Sequence, residues 1–155
     1  MNRARGFTLP EMLTVIMIIG ILAAFAFPAM TKFLVTQAVR TASYDLFADL
    51  IYARSEAIAR GTPIRVKATT GSNWKLGYEV LESTTVLRGQ PARDSAIDFT
   101  GSGPEVTFDR SGRASGQLFF TIVPNSTISN PQDYMKRCIR LDPSGRPKSS
   151  EGACA

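Results

Sequence analysis

Hydrophobic and polar positions divide the 155-residue chain into three regimes. From Phe7 to Met30 the sequence FTLPEMLTVIMIIGILAAFAFPAM is apolar on every side, and Glu11 is its sole ionisable side chain. At about 1.5 Å per residue a helix of this length matches a roughly 30 Å hydrocarbon core, so residues 7–30 are predicted to span a bilayer. Over 31–60 the pattern changes. Apolar residues such as Val35, Val39, Ala42, Leu46 and Leu50 recur three and four apart, alternating with Lys32, Arg40, Asp45, Asp49, Arg54 and Glu56. That period predicts an amphipathic helix continuing the first, bending at Pro28 and near Gly20. It should stop around Arg60-Gly61, where glycine suits the left-handed C-terminal position and Pro63 prevents a restart.

The third regime, 61–155, consists of short runs rich in β-branched and aromatic residues, separated by turns such as GSN, GSG, SGR and PSG. Strands are predicted near 63–69, 76–82, 84–88, 105–109, 117–123 and 137–142. An antiparallel sheet packed on the apolar stripe of the helix is the natural product, which makes the fold class α+β. The segment 90–104 reads as an open loop.

Composition changes this picture in two ways. The average hydrophobicity of 44% is ordinary only because an apolar start and a polar, Gly/Pro/Ser-rich second half are averaged together. There is no histidine, which removes the usual general base and the commonest metal ligand. No phosphate-binding glycine loop, nucleophile elbow, CxxC pair or paired catalytic carboxylates occurs. A structural or binding role is expected, with no catalytic residues, metal or cofactor.

The N-terminal segment carries the sharpest chemistry. Arg3 and Arg5, with no acid beside them, should remain cytoplasmic, placing everything after Met30 on the far side of the membrane. A secretory signal peptide with Ala24 and Ala26 before its cut, or a plain anchor, would share these features. Neither explains Glu11, since a carboxylate inside an apolar span costs up to about 2.5–3.5 kcal/mol and needs a cationic partner. Cleavage after Gly6 would free an amine on Phe7 four residues away, about one helical turn.

The stretch RGFTLPEMLTVIMIIGILAAFAFP resembles the class III signal of type IV pilins and type II secretion pseudopilins. The resemblance implies that a prepilin peptidase cuts after Gly6 and methylates Phe7. It also implies that Glu11 and Pro28 serve assembly, and that the partners are other major and minor pilins or pseudopilins. Pro10 departs from the usual aliphatic residue, but proline is tolerated in a first helical turn. Farther on, WKLGYEVL, VLRG, VTFDRSGRASG and RCIRLDPSGRPKSSEGAC resemble the GspH/FimT group, especially its FimT/FimU branch of minor pilins. The implied organisation is a leader (1–6), a transmembrane and polymerisation helix (7–30), its amphipathic continuation (31–60) and a β-rich periplasmic pilin domain (61–155), anchored by one pass in a bacterial inner membrane.

Cys138 and Cys154 bracket a loop of the size for which a crosslink contributes about 3 kcal/mol. In an oxidising compartment a disulfide is expected, with free thiols the alternative, and the resemblance implies the same pair. Trp74 reads as core before ligand stacking. The tail concentrates Lys136, Arg137, Arg140, Arg146 and Lys148, which could grip phosphates or form a solvated basic face. Some FimT proteins bind DNA through a Gly-Arg-x-Arg motif, which GRPK resembles, so double-stranded DNA is a candidate partner. Lys148 in place of the second arginine, with Pro147 and Glu151 nearby, makes that match imperfect.

Overall fold

The structure, a computed structural model, describes residues 7–93, 96–101, 103–125, 128 and 130–154, and inside the helix the side chains of 26, 28 and 29 are set aside. The segment 1–6, read from the sequence as a leader and including Gly6, lies outside the described residues.

Helix α1 runs from Leu9 to Arg60. The chain forms two compact units, one up to Leu34 and one from Val35 onward. In the first, every described side chain from 7 to 34 is exposed, including Phe7, Leu9, Phe25 and Phe27 at 75–78%. A helix apolar on all sides is stable only where something other than water surrounds it. Among the described residues no single straight stretch is both long and apolar enough to cross a membrane, whereas Leu9–Phe25 with Met30–Arg60 passes as a bent pair by length and composition.

In the second unit the remainder of α1 buries Val39, Ala42, Leu46, Leu50, Ala53 and Ala57 in one core with the strands. These positions follow the three-and-four spacing of the sequence, which places them on one face. After Gly61, left-handed at φ 65°, the described residues form eight strands: β1 (Ile64–Ala68), β2 (Tyr78–Glu82), β3 (Thr85–Gln90), β4 (Ile97–Gly101), β5 (Glu105–Phe108), β6 (Leu118–Pro124), β7 (Arg137–Leu141) and β8 (Pro147–Glu151). They form two four-stranded sheets, ordered β3-β2-β1-β5 and β4-β6-β7-β8, and every neighbouring pair is antiparallel.

The α+β architecture agrees with the expectation, and six strands stand where the sequence places them. The sequence reading omits two. β4 occupies the segment read as an open loop, and its Ile97 and Phe99 face the core while Asp98 and Thr100 face outward. β8, PKSSE, is an edge strand with no side chain fully buried, so no apolar alternation announces it. Asp49 departs from its expected polar side as well. It is 1% exposed and accepts from Tyr78 Oη at 3.1 Å, Arg88 Nη1 at 2.8 Å and Gln90 Nε2 at 2.8 Å. A carboxylate can sit on the buried face because these three donors replace its water.

Candidate functional site

Two regions hold the residues singled out in the sequence. At the start of α1, Glu11 stands in the first turn, and the backbone N–H of Thr8 points to its Oε2 at 3.5 Å. A carboxylate there suits both the unpaired amides and the positive end of the helix dipole. Phe7 is the residue before Thr8 and is 78% exposed. Pro28 lies within α1, and Gly6 is outside the described residues.

The basic residues of the tail differ in exposure, with Lys136 and Arg137 half-buried. Lys136 Nζ pairs with Asp133 Oδ1 at 3.1 Å, and Arg137 pairs with Glu151 Oε1 at 3.1 Å. Both charges are answered locally. Arg140, Arg146 and Lys148 are exposed. Arg140 and Lys148 are direct partners across the β7–β8 ladder, so their side chains share one face.

Cys138 and Cys154 form a disulfide. The bond lays the segment after β8 over the outer face of β6, where the Cys154 N–H donates to Thr121 Oγ1 at 3.3 Å. Trp74 is fully buried, donating from Nε1 to the Gly103 carbonyl at 2.8 Å, with its ring 4.8 Å from that of Phe120 and 5.7 Å from that of Tyr78. It belongs to the core, as its sequence context favours.

The sequence reading takes SGR as a turn, but the contact between its two copies escapes it. The pentapeptide Asp-x-Ser-Gly-Arg occurs at 109–113 and again at 142–146, and both copies fold alike. In the first, Asp109 Oδ1 accepts from Ser111 N at 2.8 Å and Arg113 N at 3.0 Å. In the second, Asp142 Oδ1 accepts from the Ser144 hydroxyl and from Arg146 N at 3.2 Å. Gly112 and Gly145 have φ of 76° and 75°. The two turns meet glycine to glycine: a Cβ on Gly145 would fall on the Gly112 carbonyl oxygen, which itself accepts from Arg54 Nε of α1 at 3.0 Å. Hydrogen bonds from the Ser111 side chain and the Arg113 amide hold the Asp109 carboxyl below its ordinary range, and Ser144 and the Arg146 amide do so for Asp142. The repeated spelling was the available signal. Arg110, Arg113 and Arg146 are exposed around these turns.

Among the described residues no group of three or more His, Cys, Asp or Glu side chains could hold a metal ion. What the arrangement offers is an apolar helix that needs a partner, and a cationic sheet face.

A long N-terminal helix with an apolar first half, packed in its second half against antiparallel sheets, defines a type IV pilin or pseudopilin fold. The chain belongs to the family of the type II transport protein GspH, whose profile matches residues 42–145. The prokaryotic N-terminal methylation motif matches residues 1–27. A type IV major alpha-pilin of Moraxella bovis is 31% identical over 101 residues, 65% of this chain and 62% of that protein. The chain thus matches a little under two thirds of that relative's length. Among solved structures, the type IV minor pilin FimU of Pseudomonas aeruginosa superposes with a TM-score of 0.61 at 23% identity, over 72% of this chain and 87% of FimU. The minor pseudopilin EpsH of the Vibrio cholerae type 2 secretion system gives 0.58 at 10% identity, over 78% and 99%. At these identities the likeness is one of fold.

Proposed function

We propose that the chain is a minor type IV pilin of the FimU/FimT kind, cut between Gly6 and Phe7 by a prepilin peptidase, methylated at Phe7, and incorporated with other pilins into a fibre that it helps to prime or assemble. In this reading residues 7–30 hold it in the inner membrane and 61–155 stand in the periplasm. The observation that carries it is the position of Glu11, whose carboxylate lies 3.5 Å from the Thr8 amide nitrogen, one residue from the amine that cleavage would create. A neighbour's Phe7 amine could answer the same carboxylate and set the stagger of adjacent helices. Glu11→Ala should leave membrane insertion intact and sharply lower the amount recovered in sheared pili. Recovery equal to wild type would overturn the assembly role.

Two specific observations favour other readings. The GspH family description and the fold shared with EpsH support a pseudopilin of a type II secretion system, which would assemble by the same mechanics. Deleting the gene and assaying pilus extension beside exoprotein secretion separates the two. The exposure of Arg140, Arg146 and Lys148 supports a double-stranded DNA receptor at the tail. Duplex binding that falls with salt and with Arg146→Ala is its expected outcome. Duplex binding indifferent to both would remove it.

A further inference from the structure

The outer face of the second sheet carries two short rows of side chains running across β6, β7 and β8. Strand pairing places Thr121 opposite Cys138 and Cys138 opposite Ser150. This row lies under the C-terminal segment, which the disulfide and the Cys154–Thr121 hydrogen bond hold in place. The adjacent row is Phe119 opposite Arg140 opposite Lys148. Phe119 is 47% exposed, and Arg140 and Lys148 are exposed beside it. With strands about 4.8 Å apart, ring, guanidinium and ammonium stem from backbone positions spanning roughly 10 Å.

Phe119 is thus half-open on the sheet, with two exposed cations beside it. The core of this sheet is already filled by Phe120, Ile122 and Ile139 from the opposite face. A recess of about 280 Å³ opens at this row, lined by Gln117, Leu118, Phe119 and Arg140, close to the lower end of small-ligand sites. Asp142 is near enough to Lys148 for their charges to interact, but its Oδ1 is engaged by Ser144 and the Arg146 amide.

We propose that Phe119, Arg140 and Lys148 form a stacking platform for single-stranded nucleic acid: an unpaired base lies on the Phe119 ring while Arg140 and Lys148 hold the flanking phosphates. Stacking tolerates any base because each has a π-face, and the cations supply affinity that salt weakens. A duplex, its bases already stacked inside, could use the cations but not the ring. The platform rests on the basic-tail reading in sharing Arg140 and Lys148 with it, but Phe119 belongs to the platform alone.

The test measures fluorescence anisotropy of a labelled oligothymidylate and of a labelled duplex, each titrated at two salt concentrations with the full-length chain in detergent micelles. Phe119→Ala is expected to weaken oligothymidylate binding about tenfold or more while leaving duplex binding within twofold, and Phe119→Trp to restore it with quenching of the new indole. Arg146→Ala, read on the duplex, reports the tail reading separately, so either can fail while the other stands. The platform is overturned if the wild type does not bind oligothymidylate at low salt. It is equally overturned if Phe119→Ala leaves that binding unchanged or weakens duplex and single strand alike, and if a neutral polysaccharide displaces the oligonucleotide.

Discussion

The Tyr78 hydroxyl in β2 donates to the Asp49 carboxylate in α1 across 3.1 Å, with both side chains buried. Burial, and then the Asp49 charge, push the Tyr78 phenol well above its usual range. The same carboxylate receives Arg88 and Gln90 from β3, and the Arg88 guanidinium lies 4.1 Å over the Tyr52 ring. One helix residue thus fixes the orientation of two strands.

Replacing it should be costly. Asp49→Ala leaves the Tyr78 hydroxyl and Gln90 amide without their acceptor, a loss of about 2 kcal/mol. That corresponds to a fall in Tm of roughly 10 °C for a unit of this size. Asp49→Asn retains shape and partial acceptance and should lose less than half as much. Thermal melts followed by Trp74 fluorescence would check both, and an Asp49→Ala variant melting with wild type would refute the hub.

Opening the disulfide should lower stability by about 3 kcal/mol, given a sequence separation of 16 between Cys138 and Cys154. The Cys138→Ser, Cys154→Ser variant should melt like reduced wild type. Its hydrogen exchange should rise at the Cys154 amide, which otherwise donates to Thr121.

Gly112→Ala and Gly145→Ala should differ although their φ values match. Left-handed backbone costs either alanine about 1–2 kcal/mol. At Gly112 the added methyl meets the Ile58 side chain, whose Cδ1 lies 2.6 Å away and can move, whereas at Gly145 it meets the Gly112 carbonyl of the facing turn. Gly145→Ala should therefore be the more damaging, by at least about 2 kcal/mol, or fail to fold. Equal melting temperatures would show that the turns do not interlock.

The carboxylates of those turns set a pH limit. Both Asp109 and Asp142 are depressed in the folded chain, so their contribution is complete above the ordinary aspartate value of about 3.9. It is lost as pH falls through their lower folded values. The amide resonances of Ser111, Arg113 and Arg146 should hold steady from pH 7 to about 5 and shift together below about 4, before the rest of the domain changes. Titration of these amides near pH 6 would contradict the assignment.

How much of this was legible beforehand follows from which signals physics writes into a sequence. Leu46 and Leu50 announce their helix face by spacing, and Ile64, Val66 and Ala68 their strand face by alternation, because burial selects apolar residues at the structural period. β8 is written in Pro, Lys, Ser and Glu because an edge strand is held by its backbone ladder, which leaves no mark on side chains. Asp49 misleads because periodicity counts a carboxylate as outward, while Tyr78, Arg88 and Gln90 lie 29, 39 and 41 residues away, beyond any local pattern. Phe119 went unnoticed for the converse reason: in QLFFTIV it reads as one more core aromatic, and only the register with Arg140 turns it outward.

The core has an abrupt beginning. Among the described residues nothing before Val35 is buried, so a protease cut at residue 34 would remove no tenant of the folded interior. A domain released by such a cut would keep its core and its basic face while losing the apolar helix, so folding and attachment to that helix are separable properties of one chain.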